Sequence, residues 1–66
     1  MPEDGLPDDA QIIAAAFEDR VRELFKTFAE VVYTGEPERE AVARFRRGLV
    51  SAKRVRDLAL EVAKDL

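Results

Sequence analysis

Apolar residues within residues 9–33 recur at steps that alternate between four and three. The series comprises Ala10, Ala14, Phe17, Val21, Leu24, Phe28 and Val31, and it is widened by Ile13, Phe25 and Val32. The charged residues of this stretch fall on the other sides, and the stretch contains no Pro or Gly. Such a pattern is typical of an amphipathic helix. We therefore predict a helix from Asp9 to about Tyr33, capped at its start by Asp8.

The first helix is followed by the sequence Thr34-Gly35-Glu36-Pro37. Gly35 suits the left-handed backbone conformation found after many helix ends, and Pro37 suits the first position of a new helix. A second helical segment is predicted from Pro37 to about Asp65. Because the connection is short, this segment must run back antiparallel to the first helix. The predicted fold class is all-α, an antiparallel helical hairpin of two long helices.

The apolar stripe of the second segment shifts part-way along. Its first half contains Ala41, Val42, Phe45 and Leu49, and its second half contains Val55, Leu58, Ala59, Val62 and Leu66. The centre of the stripe moves by roughly 100° between the halves, whereas heptad drift is only about 20° per seven residues. Gly48 is a poor helix former, Ser51 is a good N-cap, and Arg56 falls inside the stripe of a straight helix. Two interpretations follow: one long helix kinked or loosened near Gly48, or a break at Gly48 to Ser51 that gives three helices.

The segment Arg46-Arg47-Gly48-Leu49-Val50-Ser51-Ala52-Lys53-Arg54-Val55 resembles a DNA-binding helix-turn-helix. In that motif a glycine begins the turn and a Ser or Thr caps the recognition helix. The resemblance implies a nucleic-acid-binding transcriptional regulator that uses residues 41–62.

The length and composition exclude several classes of protein. The 66 residues fit one domain, which we place at residues 8–66, after a flexible acidic arm at residues 1–7 that contains two of the three prolines. The chain has no Cys and no His, so we expect no disulfide, no metal site, no cofactor and no catalytic activity. The acidic start is unlike a signal peptide, and no apolar run approaches the roughly 20 residues of a membrane span. We therefore expect a cytoplasmic protein, and Met1 is what a complete reading frame would show.

The apolar stripe of the first helix is wider than one partner helix covers, which predicts self-association. Two hairpins stacked about a two-fold axis would form a four-helix bundle. In size and plan this assembly resembles the Rop-type hairpin dimers, a likeness of architecture that implies no function. A three-helix monomer, or a different protein as partner, is the alternative. The predicted self-association residues are Phe17, Val21, Leu24, Phe25, Phe28, Val32, Phe45, Leu49, Val55 and Val62.

Charge is unevenly distributed along the chain. Residues 1–40 carry eleven acids and four bases, whereas residues 41–66 carry seven bases and three acids. One interpretation is intramolecular, with an acidic helix beside a basic one. The other is a basic surface for phosphate groups or for a protein partner. The candidate residues of that surface are Arg46, Arg47, Lys53, Arg54 and Leu58.

These observations together predict a small non-catalytic regulatory or adaptor protein that acts through protein–protein interaction as a helical-bundle homodimer. The expected partners are a second copy of the chain and an unidentified protein. Nucleic-acid binding through residues 41–62 is the alternative function.

Overall fold

The computed structural model describes residues 8–65, which form two antiparallel helices. Helix α1 spans Asp9–Tyr33 and helix α2 spans Glu38–Lys64. The prediction of an all-α helical hairpin is therefore confirmed. The arm predicted for residues 1–7 and the predicted stripe residue Leu66 lie outside the described residues.

Local hydrogen bonds fix the ends of α1. The Asp8 carboxylate accepts from the backbone N–H of Ala10 at 3.3 Å, as an N-cap should. At the other end the backbone N–H of Gly35 donates to the carbonyl of Val32 at 3.1 Å, and Gly35 takes a φ of 89°. This left-handed conformation ends α1 and turns the chain back. Pro37 is the N-cap of α2 rather than its first helical residue, so α2 begins one residue later than predicted.

Helix α2 is continuous through the segment where a break was considered. Its 27 residues include Gly48 and Ser51, and both lie within the helix. The three-helix interpretation is therefore wrong. The helix-turn-helix resemblance fails for the same reason, because that motif needs a turn and residues 41–62 contain none.

Gly48 marks a close approach of the two helices. A Cβ atom built at Gly48 would lie 2.6 Å from Cδ2 of Leu24 and 3.3 Å from Cδ1. Atoms at the first of these distances overlap, so a side chain at this position would require the end of the Leu24 side chain to move. The glycine that looked like a weak point in the helix is a contact point between helices.

Arg56 lies at the helix contact, as the stripe of a straight helix required. Its guanidinium carbon lies 4.6 Å from the centre of the Phe17 ring, and its Nε donates to the Asp57 carboxylate at 3.0 Å. The planar cation stacks on the aromatic face while its charge keeps a polar partner. A cation is thus accommodated between the helices without a break in α2.

The side of α2 that faces α1 consists mainly of small residues. These half-buried or buried positions are Ala41, Phe45, Gly48, Ala52, Arg56, Ala59 and Ala63. The Phe45 ring stacks on that of Phe28 with centroids 4.8 Å apart. Among residues 8–65 only Ala41 is fully buried, at 3% exposure. A single hairpin therefore has almost no interior of its own.

Candidate interaction surfaces

The ten predicted self-association residues divide into two groups in the structure. Half of them lie half-buried along the contact between α1 and α2: Phe17, Val21, Leu24, Phe28 and Phe45. The other five differ in their exposure. Phe25, Val55 and Val62 are exposed, and Val32 and Leu49 are half-buried. The contact between α1 and α2 thus covers part of the predicted interface, and much of the remainder is open to solvent.

One open apolar surface lies beside the turn between the helices. Phe25, Ala29, Val32, Tyr33 and Val42 line a shallow groove there, together with Glu38. We call these five apolar residues the loop-end patch. Phe25 is 58% exposed and Tyr33 is 85% exposed, so two aromatic rings of the patch face solvent.

A second open apolar surface lies at the other end of the hairpin, where α1 begins and α2 ends. Ile12, Ile13, Ala59, Val62 and Ala63 line this groove, and we call it the terminal-end groove. Asp9 is its charged lining residue.

An apolar row on α2 extends the terminal-end groove. Val55, Leu58 and Val62 succeed one another at steps of three and four, which places them on one side of the helix. All three are more than half exposed.

The two surfaces lie on nearly opposite sides and at opposite ends of the hairpin. Val42 and Val62 are 20 positions apart in α2. At about 100° and 1.5 Å per residue they point some 160° apart and lie about 30 Å apart along the axis. One face-to-face contact with another hairpin therefore cannot cover both.

A third surface, on the outer side of α2, is basic. Arg46, Arg47, Lys53 and Arg54 are all exposed, and Leu58 is exposed beside the last of them. Among the described residues none of these four bases forms an ion pair within 4.0 Å. Asp57 and Glu61 continue the same side toward the C-terminal end, where the basic character ends.

The ion pairs do not join the two helices. In α1, Arg22 pairs with Asp19 at 3.0 Å, and Arg44 of α2 pairs with Glu36 of the turn at 3.0 Å. Within residues 8–65 no ion pair connects α1 to α2. The intramolecular interpretation of the charge distribution is therefore not supported by direct contacts, and the basic side of α2 faces solvent.

The sequence interpretation missed the loop-end patch as a unit. Val42 was placed in the apolar stripe of the second segment, and Tyr33 was named only as the end of the first helix. The available signal was that Val42 and Leu49 are seven residues apart and face away from the small residues Ala41 and Gly48. Leu58, which was placed in the second half of the stripe and among the candidate residues of the basic surface, is exposed on the unbroken helix.

Comparison of the chain with protein-family models, with curated proteins and with solved structures gives no match. Neither helix within residues 8–65 combines the length and the apolarity that crossing a membrane requires. The three surfaces therefore supply the functional argument.

Proposed function

We propose that the protein is a non-catalytic regulatory or adaptor protein that acts as a homodimer, with the loop-end patches of two hairpins packed together in a four-helix bundle. The observation that carries the proposal is the burial pattern. Only Ala41 is fully buried among residues 8–65, while Phe25 and Tyr33 are left in water. Covering the exposed part of Phe25 contributes on the order of 1–2 kcal/mol per chain, a large share of what so small a domain has.

The charges around the loop-end patch are compatible with a two-fold contact. Such a contact places the patch against its own copy, so charges of one sign would repel across it. Residues 25–47 contain four acids and five bases, with Glu38 lining the patch. Both signs are thus available at this end for complementary pairing between copies.

The test is a comparison of three Val→Glu variants by sedimentation or light scattering over a concentration series. Val42→Glu places a carboxylate in the loop-end patch, whereas Val50→Glu places it on the outer side of α2, where Val50 is 62% exposed. Val62→Glu places it in the terminal-end groove. An unpaired carboxylate in an apolar interface costs several kcal/mol, so Val42→Glu should raise the dimer Kd by about 100-fold or more.

The wild-type chain and the Val50→Glu variant should remain dimeric under the same conditions. A wild-type chain that stays monomeric at all accessible concentrations would overturn the proposal. If Val62→Glu rather than Val42→Glu dissociates the dimer, the dimer contact lies at the terminal-end groove. Circular dichroism of each variant confirms that the helices are intact.

Nucleic-acid binding is the second proposal, and it relies on the exposure of Arg46, Arg47, Lys53 and Arg54 rather than on a helix-turn-helix. Arginine side chains suit phosphate groups, although the chain as a whole has a net charge of −3. A mobility-shift assay with duplex DNA decides the matter, because phosphate contacts require the affinity to fall steeply with salt.

A further inference from the structure

We propose that the outer side of α2 binds an acidic segment of a different protein, one that carries apolar residues among its acids. The proposal rests on the adaptor role above and names the surface and the chemistry of the partner. The surface consists of four bases with an aliphatic residue at their centre: Arg46, Arg47, Val50, Lys53 and Arg54. We call it the basic row, and all five side chains are exposed.

The basic row faces away from α1. Val50 follows Gly48 by two residues, which places it about 200° around the helix axis from the glycine that approaches Leu24. Two of the bases lie about one turn before Val50 and the other two about one turn after it, so the row extends over about 12 Å. A partner segment can therefore lie along the row without displacing α1.

The bases of the row have no carboxylate partner within the hairpin. Residues 41–56 carry six bases and no acid. Two of these bases, Arg44 and Arg56, each donate to a carboxylate at 3.0 Å. The four bases of the row form no ion pair with any residue between 8 and 65. Their charge is thus available to the carboxylates of another molecule.

Acids lie at both ends of the basic row but do not cancel its charge. Glu40 precedes the row, and Asp57 and Glu61 follow it in the same groove as its last two bases. With these three acids included, residues 39–61 carry seven bases and three acids. The surface therefore favours an acidic segment over a basic or a neutral one.

Val50 distinguishes a protein partner from a nucleic acid. It is 62% exposed in the middle of the row. Phosphate groups would contact the bases and leave this side chain in water, whereas a peptide with apolar residues among its acids covers both. The net charge of −3 also repels a nucleic acid, which carries a phosphate at every nucleotide, more than it repels a short acidic segment.

A second copy of the chain is a poor partner for the basic row. Two rows that face each other would bring like charges together, which is unfavourable. Helix α1 contains five acids, and three of them are paired with Arg20 or Arg22 of the same helix: Glu18, Asp19 and Glu23. The row also extends beyond the proposed dimer contact, because Arg54 lies about 18 Å along the axis and about 120° around it from Val42. These observations favour a different protein as the occupant.

The experiment measures binding of labelled 18-residue peptides to the full chain by fluorescence anisotropy. The first peptide carries Leu at every fourth position with Glu elsewhere. A second keeps the Glu positions and replaces Leu with Ser, and a third keeps the Leu positions and replaces Glu with Lys. An 18-base-pair DNA duplex with the same label tests the nucleic-acid alternative.

Three variants locate the binding site. Arg54→Glu reverses a charge of the row, and Val50→Ser removes its apolar group. Lys64→Glu is the matched control, because it makes the same change of charge in α2 about 15 Å further along and also lies three positions from an acid. All three positions are exposed, so none of the changes removes a core residue.

The Leu/Glu peptide should bind saturably, at least about tenfold more tightly than the Leu/Lys peptide and at least about threefold more tightly than the Ser/Glu peptide. Binding should weaken as salt rises. Arg54→Glu should weaken it about fivefold or more and Val50→Ser about threefold, whereas Lys64→Glu should change it less than about twofold. Each variant should remain dimeric.

Equal binding of the Leu/Glu and Ser/Glu peptides, or equal effects of Arg54→Glu and Lys64→Glu, would overturn the inference. Tighter binding of the DNA duplex than of the Leu/Glu peptide would assign the row to a nucleic acid and overturn it too. A dimeric chain that binds none of the peptides refutes it while the proposed homodimer stands. Dissociation of the dimer by Arg54→Glu would show that a second copy occupies the row, which also overturns the inference. A monomeric chain that binds the peptides as expected supports the inference and overturns the homodimer alone.

Discussion

Substitution of Gly48 separates two explanations of why a glycine lies in the middle of a long helix. If Gly48 only weakens the helix, alanine should stabilise the protein by about 1 kcal/mol, the usual propensity difference. If Gly48 allows close helix contact, the new methyl group must displace Leu24, whose Cδ2 atom would be 2.6 Å away. The structure supports the second explanation.

The magnitude follows from the atoms involved. The nearest atoms belong to the end of the Leu24 side chain, which is half-buried and can rotate away. Rotation off a preferred conformer costs about 0.5–1.5 kcal/mol, which offsets the helix-propensity gain and leaves Gly48→Ala within about 0.5 kcal/mol of wild type. Gly48→Leu cannot be accommodated by rotation and should destabilise the protein by about 1–3 kcal/mol through overpacking.

The assay is urea unfolding followed by circular dichroism, at one fixed protein concentration because association adds stability. Gly48→Ala is measured alone and together with Leu24→Val, which removes the two δ-methyl positions. In the Leu24→Val background, Gly48→Ala should stabilise the protein by the full amount of about 1 kcal/mol. The coupling energy between positions 24 and 48 should then be of similar size. A gain of about 1 kcal/mol in both backgrounds, with Gly48→Leu also stabilising, would refute the contact explanation.

Two further contacts give predictions that the same assay checks. Arg56→Ala should destabilise the protein by about 1 kcal/mol, because the guanidinium no longer stacks on Phe17. In a Phe17→Leu background the same change should cost much less, and equal losses in both backgrounds would exclude the stack. Gly35→Ala should destabilise by about 1 kcal/mol, because Gly35 has a φ of 89° and nothing within 4 Å of the added methyl group. Asn tolerates that conformation better, so Gly35→Asn should lose less, and equal losses for Ala and Asn would contradict the backbone explanation.

The sequence was sufficient for the elements whose signals are local. Asp8, Gly35 and the absence of Pro and Gly between Asp9 and Tyr33 act within a turn or two of their own positions. They predicted the bounds of α1 as the structure has them. The start of α2 differed by one residue, since Pro37 caps the helix from outside it.

The side of α2 that meets α1 was not predictable in the same way. The prediction followed the large apolar residues and assigned Val55 and Val62 to self-association, without stating which residues in this half of α2 contact α1. In the structure the half-buried positions here include Ala52, Arg56 and Ala59. Hydrophobic periodicity weights a residue by its apolarity, whereas the distance between two helices depends on how little the side chains protrude.

This choice of contact couples the stability of the hairpin to its surfaces. The side of α2 that contacts α1 carries Gly48 and several alanines. Val55, Leu58 and Val62 are exposed as a consequence. Close approach lets Phe28 stack on Phe45 and Arg56 on Phe17, but it buries little of the apolar surface that α2 carries. The exposed aliphatic residues of α2 are buried only when another molecule covers them. The same small residues that hold the hairpin together therefore leave apolar side chains exposed at both of its ends.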